Sequence, residues 1–327
     1  MSKYLDLKSS LLDKAAKNHL PAVVEFEIIA KCNLDCQMCY LKGIHHEAAP
    51  SLLDWIELFQ ETVKSGMLYA TLTGGEIFLS PDFIELYNAL YDMGVKISLF
   101  TNGTILTPSI EQCLLKRPPE LIALTLYGAS EETYELVTTQ RMHSLIFSNL
   151  ARMKQLGLPV LVRTIPIKPV FDELDSMIQQ VSELGLSLGY YLYLSVGNEY
   201  AKKWRLSPKE LIEFESKIRN AFPAYLDKVK SKGFHDCNAL KNSCFVDHRM
   251  NIRPCSTAPI PFTKYEPGKF LSQFHELSKE WDALEVEACH GCSFQDGCIS
   301  CKARLLLEKG IQECSPYLSD IAKRRMP

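Results

Sequence analysis

Three cysteines stand on one short stretch, AKCNLDCQMCY, as Cys32, Cys36 and Cys39 in a C-x3-C-x2-C spacing. Three thiolates on one loop can each ligate one iron of a four-iron cubane. The fourth iron then has no protein ligand and stays open to a small chelating molecule, which suits a catalyst and is needless for electron transfer. A tetrahedral structural zinc would need a fourth ligand close by, and His45 and His46 are the local candidates. Eight further cysteines lie between Cys237 and Cys314. They are Cys237, Cys244 and Cys255, then CHGCSFQDGCISC with Cys289, Cys292, Cys298 and Cys301, and finally Cys314. Eight thiolates make two complete sets of four, although paired C-x2-C elements also hold zinc. Cys113, in SIEQCLLKR, fits no spacing and reads as a buried, inert thiol.

The elements that must position these residues are legible as an alternation. Six runs rich in β-branched and apolar residues read as buried parallel strands: VVEFEIIA from Val23, YATLT from Tyr69, KISLFT from Lys96, LIALTLY from Leu121, VLVRTIPI from Val160 and YYLYLSV from Tyr190. Helical spacing fills the intervals, as in LLDWIELFQETVKSG from Leu52, FIELYNALYDMG from Phe83, LIFSNLARMKQLG from Leu145 and ELDSMIQQVSELG from Glu173. The fold class is α/β, and six units suit a partial (β/α)6 barrel better than a closed eight-stranded one. Chemistry is then expected in the loops at the carboxyl ends of the strands, where Cys32 follows the first strand directly. The organisation expected is an N-terminal extension over 1–22, the barrel over 23–206, a connecting helix over 207–232 opened by Ser207 and Pro208, and a cysteine-rich C-terminal domain over 233–327. That last segment has weak periodicity and is expected to depend on bound metal for its stability.

Thirty-six Lys and Arg against thirty-nine Asp and Glu leave a net charge of -3, without the basic excess that gathers nucleic acid or an anionic membrane. No apolar run reaches the roughly 18 residues that span a bilayer, and the N-terminus has neither a signal-peptide core nor a transit-peptide composition. A soluble cytoplasmic protein is expected. In that reducing compartment twelve cysteines point to metal or redox chemistry rather than a disulfide framework.

With the three-cysteine loop after its first strand, the chain resembles the radical S-adenosylmethionine (SAM) superfamily. A second match is TLTGGE at the end of the second strand. The resemblance implies that Gly74, Gly75 and Glu76 contact the amino group of SAM, the glycines admitting close backbone approach and the carboxylate suiting an ammonium. Relatives often have S-L-D-G on strand four, where this chain has Thr125, Leu126, Tyr127 and Gly128. Thr125 can still offer a hydroxyl to the ribose, but Tyr127 has replaced the acid. Arg163, in an otherwise apolar strand, would match the SAM carboxylate bidentately or form a salt bridge at the barrel mouth. Thr101, Asn102 and Gly103 either line the pocket or form a turn.

After such a core, the C-terminal array resembles the SPASM domain, which holds two auxiliary 4Fe-4S clusters. The family's interleaved ligation, transferred to matching positions, assigns one cluster to Cys237, Cys244, Cys255 and Cys301 and the other to Cys289, Cys292, Cys298 and Cys314. Two residues separate Cys298 from Cys301 where relatives usually have three, and Met250 stands where they have glycine. Cys244 is the least regular ligand, since many relatives lack it. The resemblance thus implies three 4Fe-4S clusters and SAM in an enzyme that abstracts hydrogen from a peptide substrate. A maturase forming a thioether or carbon-carbon crosslink in a ribosomally made peptide is the leading expectation. A peptide epimerase is the first alternative. A sulfatase-maturase-like oxidase is disfavoured by Ser256, which occupies the position of that group's basic aspartate, although Asp236 or Asp247 are substitutes. Tyr190, Tyr191 and Tyr193 face substrate or simply pack. A flavodoxin or ferredoxin would donate electrons, and either a separate peptide-recognition protein presents the substrate, or the barrel recognises it directly, or the substrate is not a leader-bearing peptide. The reading from another class is a non-catalytic iron-sulfur or zinc scaffold.

Overall fold

The computed structural model describes residues 2–44, 46–192, 194, 196, 199–223, 237–298 and 301–326. Helix α1 (Ser2–Lys17) precedes β1 (Val23–Ile29), which leads through the cysteine loop to α2 (Leu52–Lys64). Then follow β2 (Tyr69–Gly74), α3 (Phe83–Asp92), β3 (Lys96–Thr101), α4 (Pro108–Lys116), β4 (Leu121–Leu126), α5 (Glu131–Thr138) and α6 (His143–Gln155). The barrel finishes with β5 (Val160–Thr164), α7 (Lys168–Asp172), α8 (Leu174–Glu183) and β6 (Leu188–Tyr190), after which come α9 (Glu199–Trp204) and α10 (Pro208–Ala221). The C-terminal part holds β7 (Ser243–Val246), β8 (Asn251–Arg253), β9 (Thr263–Lys264), α11 (Phe270–Ala283), α12 (Lys302–Glu308) and α13 (Pro316–Arg325).

Local chemistry accounts for these boundaries. Ser51 and Asp54 close a capping box on α2, and Ser207 with Glu210 does the same on α10, where Pro208 takes the first helical turn. In β1, Val24, Phe26 and Ile28 point to the helical layer and are fully buried against Trp55, Leu58 and Phe59 of α2. Phe26 meets Trp55 and Phe59 edge-on at 6.1 and 4.8 Å between ring centroids.

The strands form one nine-stranded sheet in the order β6-β5-β4-β3-β2-β1-β7-β8-β9. The first six are parallel, as the α/β reading requires. The C-terminal region does not begin as a separate body: β7 lies parallel to β1, Val23 opposite Ser243, and β8 and β9 continue antiparallel from it. Side chains alternate along a strand, so Glu25, Thr71 and Ser98, aligned across β1, β2 and β3, occupy the face away from the helices. That inner face is half-buried and polar where the outer one is fully buried and apolar. On a flat sheet β1 and β5 would be about 19 Å apart. Glu25 and Arg163 nonetheless interact, because the sheet curls into a half-barrel and its inner face lines a lumen.

One sequence expectation is corrected, the start of the sixth strand. The sixth strand starts at Leu188 and ends at Tyr190 rather than starting there, and helix α10 ends at Ala221 within the expected 207–232. The remainder of that helix, from 224, lies outside the described residues, as do His45, Tyr193 and Asp236. The N-terminal extension contains the helix α1, tied down by the Asn242 side-chain amide, which donates to Leu12 O at 2.7 Å. Among the described residues no helix is long and apolar enough to cross a membrane.

Candidate functional site

The three-cysteine loop sits on the carboxyl end of β1 and is held from below by α5. Asp35 N and Gln37 N donate to the carbonyls of Thr138 and Val137 at 3.1 and 2.9 Å, using acceptors that a helix end leaves free. Main-chain N–H groups of Leu34 and Leu41 point at Cys32 Sγ and Cys39 Sγ, each at 3.4 Å. Cys32, Cys36 and Cys39 lie close enough for their charges to interact. Burial pushes the Cys32 thiol up to about 11 and Cys36 well above the ordinary range, and the neighbouring cysteines add to the rise. Burial raises Cys39 as well, with Glu27 and Asp35 adding to it and Lys42 opposing. Three thiolates are unfavourable together in such a place unless a cationic centre lies among them, and that is the fit a 4Fe-4S cluster demands.

The Gly-Gly-Glu turn is built against this loop. Gly75 N donates to Ile29 O at 2.8 Å and Glu76 N to Lys31 O at 2.9 Å. Gly74 has φ +148°, and a Cβ there would stand 2.2 Å from Ile29 O. At Gly75 a Cβ would meet Lys31 O at 2.3 Å. Both glycines are therefore required by close main-chain approach. Glu76 is built into the same turn. It is fully buried, and its oxygens accept from Thr101 Oγ1 at 2.8 and 2.9 Å, Asn102 N at 2.7 Å and Phe78 N at 3.1 Å. Burial pushes this carboxyl up to about 7 although those donors oppose the rise. The side chain braces the turn after β2 against the end of β3, with one hydroxyl proton and two main-chain N–H groups on its two oxygens.

Asn102 extends that brace to the cluster loop. Its side-chain amide donates to Asn33 Oδ1 at 3.0 Å and lies 3.6 Å from Cys32 Sγ, while its own oxygen accepts from Thr104. Tyr127, which stands where relatives of the resembled family have an acid, donates to Cys36, and the other two cysteines are near it as well. Its position two residues beyond Thr125 at a strand end was the available signal. Thr125 and Arg163 are direct partners across β4 and β5, half-buried on the inner face. Arg163 lies over the rings of Phe100 and Tyr191 at 5.0 and 5.9 Å and has no carboxylate in salt-bridge range among the described residues. Tyr190 instead packs edge-on against Phe214.

Glu27, on the inner face two residues beyond Glu25, links this site to the C-terminal hairpin. Its carboxylate accepts from the Tyr40 hydroxyl and contacts His248 Nδ1, while His248 Nε2 lies 3.0 Å from Glu47 Oε2. Glu47 also takes a bidentate contact from Arg249, and Arg249 with His248 holds it down to about 2. Burial works against a charge on His248, but Glu27, Glu47 and Asp247 outweigh it and raise its proton affinity. Asp247 pairs with Arg253 at 2.9 Å and, despite burial, is held below the usual carboxylate range, which disfavours it as a base.

The C-terminal cysteines separate into groups. Cys255 is pushed up to about 12 by burial and then by Cys301 and Cys237, while burial and Cys301 raise Cys237. Cys289 is pushed up to about 11 by burial, Cys298, Cys314 and Cys292, and Cys314 rises through burial, Cys298 and Cys292. Cys244 belongs to the core cluster against which Cys237, Cys255 and Cys301 pack. It stands on β7 opposite Val24 inside the helix-side core, where burial alone raises its thiol. Among the described residues no three His, Cys, Asp or Glu side chains close around a single metal ion. Cys113 is half-buried, its Sγ 3.8 Å from Asn88 Oδ1.

Comparison with known proteins agrees with this geometry. The radical SAM superfamily model matches residues 26–181. The chain is similar to the AdoMet-dependent heme synthase of Methanosarcina barkeri, 24% identical over 92% of this chain and 97% of that protein. It is 23% identical to the antilisterial bacteriocin subtilosin biosynthesis protein AlbA of Bacillus subtilis over 75% of this chain, and spans 57% of that relative's length. Its fold is that of Streptococcus suis SuiB, solved with S-adenosylmethionine and with the precursor peptide SuiA. Each superposes with a TM-score of 0.73 at 16% identity, over 92% and 97% of this chain and 79% and 81% of those chains.

Proposed function

Because the chain carries a radical SAM domain over residues 26–181, we propose that it abstracts hydrogen from a ribosomally made peptide and forms a thioether or carbon-carbon crosslink in it. The observation that supports this reading is the partition of the cysteines. Three stand at the mouth of a polar lumen, and further groups of three and four stand in the C-terminal part. When bound, a 4Fe-4S cluster and SAM together supply a 5'-deoxyadenosyl radical.

The side chains have separate tasks. Cys32, Cys36 and Cys39 hold the cluster and leave one iron to SAM. The main chain of Gly74 and Gly75, braced by Glu76, receives the methionine end. Thr125 meets the ribose, and the unpaired Arg163 takes the carboxylate. Cys289, Cys292, Cys298 and Cys314 hold one auxiliary 4Fe-4S cluster. Cys237, Cys255 and Cys301 hold a second with one iron open, and Cys244 is left out of it. The curled sheet orients the substrate over these groups and shelters the reaction from water. An electron donor of flavodoxin or ferredoxin type, a separate peptide-recognition protein and a cytoplasmic location complete the proposal.

Peptide substrates are favoured by the names of AlbA and of the SuiB complex. A second reading, a non-peptide substrate, is favoured by the heme synthase, which matches this chain over almost its whole length. Anaerobic reconstitution with iron and sulfide, followed by SAM, reductant and candidate precursor peptides, separates them by mass spectrometry. Failure to form 5'-deoxyadenosine overturns the radical reading. Formation without any change in peptide mass, even from a precursor encoded beside this gene, turns the assignment to epimerisation or a non-peptide substrate, and deuterium uptake from solvent then selects the epimerase.

A further inference from the structure

The turn between β7 and β8 carries a buried histidine onto a strand of the barrel. Asp247 fixes that turn, its carboxylate accepting from Arg249 N, Asn251 N and Arg253 Nε at 2.9 Å each. His248 then stands against β1, 4% exposed, beside Glu27 at 1%. Both imidazole nitrogens face carboxyl groups: Nδ1 lies on Glu27 Oε1, and Nε2 is 3.0 Å from Glu47 Oε2. Glu47 is doubly bound by Arg249, and Glu27 takes His248 N at 3.3 Å on one oxygen and the Tyr40 hydroxyl on the other. Donors meet both oxygens of each group, so both groups are ionised carboxylates. An ionised carboxylate only accepts, so both ring nitrogens of His248 donate and the ring is an imidazolium.

Glu27 stands beside the cysteine loop. Its partner Tyr40 follows Cys39 directly, and its charge reaches the Cys39 sulfur. Among the described residues His248 is the one cation in salt-bridge range of Glu27. A cluster that takes up an electron gains a negative charge, so a bare carboxylate next to it opposes reduction, and a cation on that carboxylate relieves the opposition. We propose that His248, reaching in from the C-terminal part, raises the reduction potential of the cluster held by Cys32, Cys36 and Cys39 by neutralising Glu27. The C-terminal hairpin thereby sets how readily the barrel's own cluster accepts its electron. The inference deepens the radical reading above and rests on its assignment of those three cysteines to the cluster.

The test uses the full chain, reconstituted with iron and sulfide and titrated with dithionite in the absence of SAM, with paramagnetic resonance as the reading. The signal followed is the one that changes on adding SAM and is missing when Cys32, Cys36 and Cys39 are all replaced by alanine. At the wild-type midpoint, His248→Gln is expected to lower the ratio of reduced to oxidised cluster about tenfold, a shift of about 59 mV for one electron. Adding Glu27→Gln to His248→Gln is expected to restore the wild-type ratio, because the charge that His248 answers is gone; a merely structural role predicts no such rescue. An unchanged midpoint in His248→Gln overturns the proposal, and so does a fall that the double variant fails to reverse. If His248→Gln does not hold its iron, Glu27→Gln alone decides: a midpoint above the wild type supports the proposal, and one at or below it overturns it. A wild type without any SAM-responsive signal refutes the cluster assignment and the proposal with it, whereas a SAM-responsive signal whose potential ignores His248 refutes the proposal alone.

Discussion

Replacing Gly75 by alanine tests whether the Gly-Gly-Glu turn sets the position of the cysteine loop. The new Cβ would lie 2.3 Å from Lys31 O and 2.4 Å from Ala30 O, about 1 Å inside ordinary contact, and both atoms are main chain. Neither can swing away, so the turn and the segment entering Cys32 must part. The two hydrogen bonds between them, Gly75 N to Ile29 O and Glu76 N to Lys31 O, stretch with that movement. Their loss costs about 1 kcal/mol each, and forced overpacking adds about 1–3 kcal/mol. A destabilisation of about 3–5 kcal/mol lowers the melting temperature by about 5–10 °C in a chain of this size. The same displacement moves Cys32 away from its two partners, so iron in the catalytic site falls with stability. The assay is thermal unfolding by circular dichroism beside iron analysis, with the change in the paramagnetic spectrum on adding SAM as the third reading. A Gly75→Ala protein that melts within about 1 °C of the wild type, keeps its iron and responds to SAM would refute the reasoning.

Two further outcomes follow from the geometry. Cys244→Ala is expected to keep about twelve irons per chain, on four irons per cluster, because burial alone and no neighbouring cysteine raises the Cys244 thiol; loss of about four irons would identify it as a ligand. For His248→Gln the sign follows from the raised proton affinity of His248. The stabilisation is complete below the unfolded value of about 6.5 and is lost as pH rises through the folded value, so the melting deficit of the variant is expected to be larger at pH 6 than at pH 9. A deficit that grows with pH would contradict the paired imidazolium.

Features set by local spacing could be read from the sequence. The Cys32, Cys36 and Cys39 loop follows a strand whose apolar run is unmistakable, and the first five strands begin where their runs begin. Features set by contact between distant segments could not. Ser243–Val246 is too short to announce a strand, and only the structure reveals that it completes the second edge of β1. Glu27 and His248 are 221 residues apart, so neither residue carries a trace of the other in its own surroundings. The motif around Glu76 is local, whereas two of its donors come from Thr101 at the end of β3 and Asn102 just beyond it.

The position of β1 between β2 and β7 also governs how the chain can be made. Synthesis runs from the N-terminus, so the six barrel strands emerge while the partner for β1's second edge, Ser243–Val246, has yet to be translated. Until then Val23–Phe26 present a row of unpaired N–H and C=O groups beside fully buried neighbours, the kind of edge on which nascent chains stick to one another. Cutting the chain before Ser243 makes that transient hazard permanent. The cysteine-rich end is therefore also the strip that covers the outer edge of β1, and the smallest piece that can be handled with that edge paired extends past Val246.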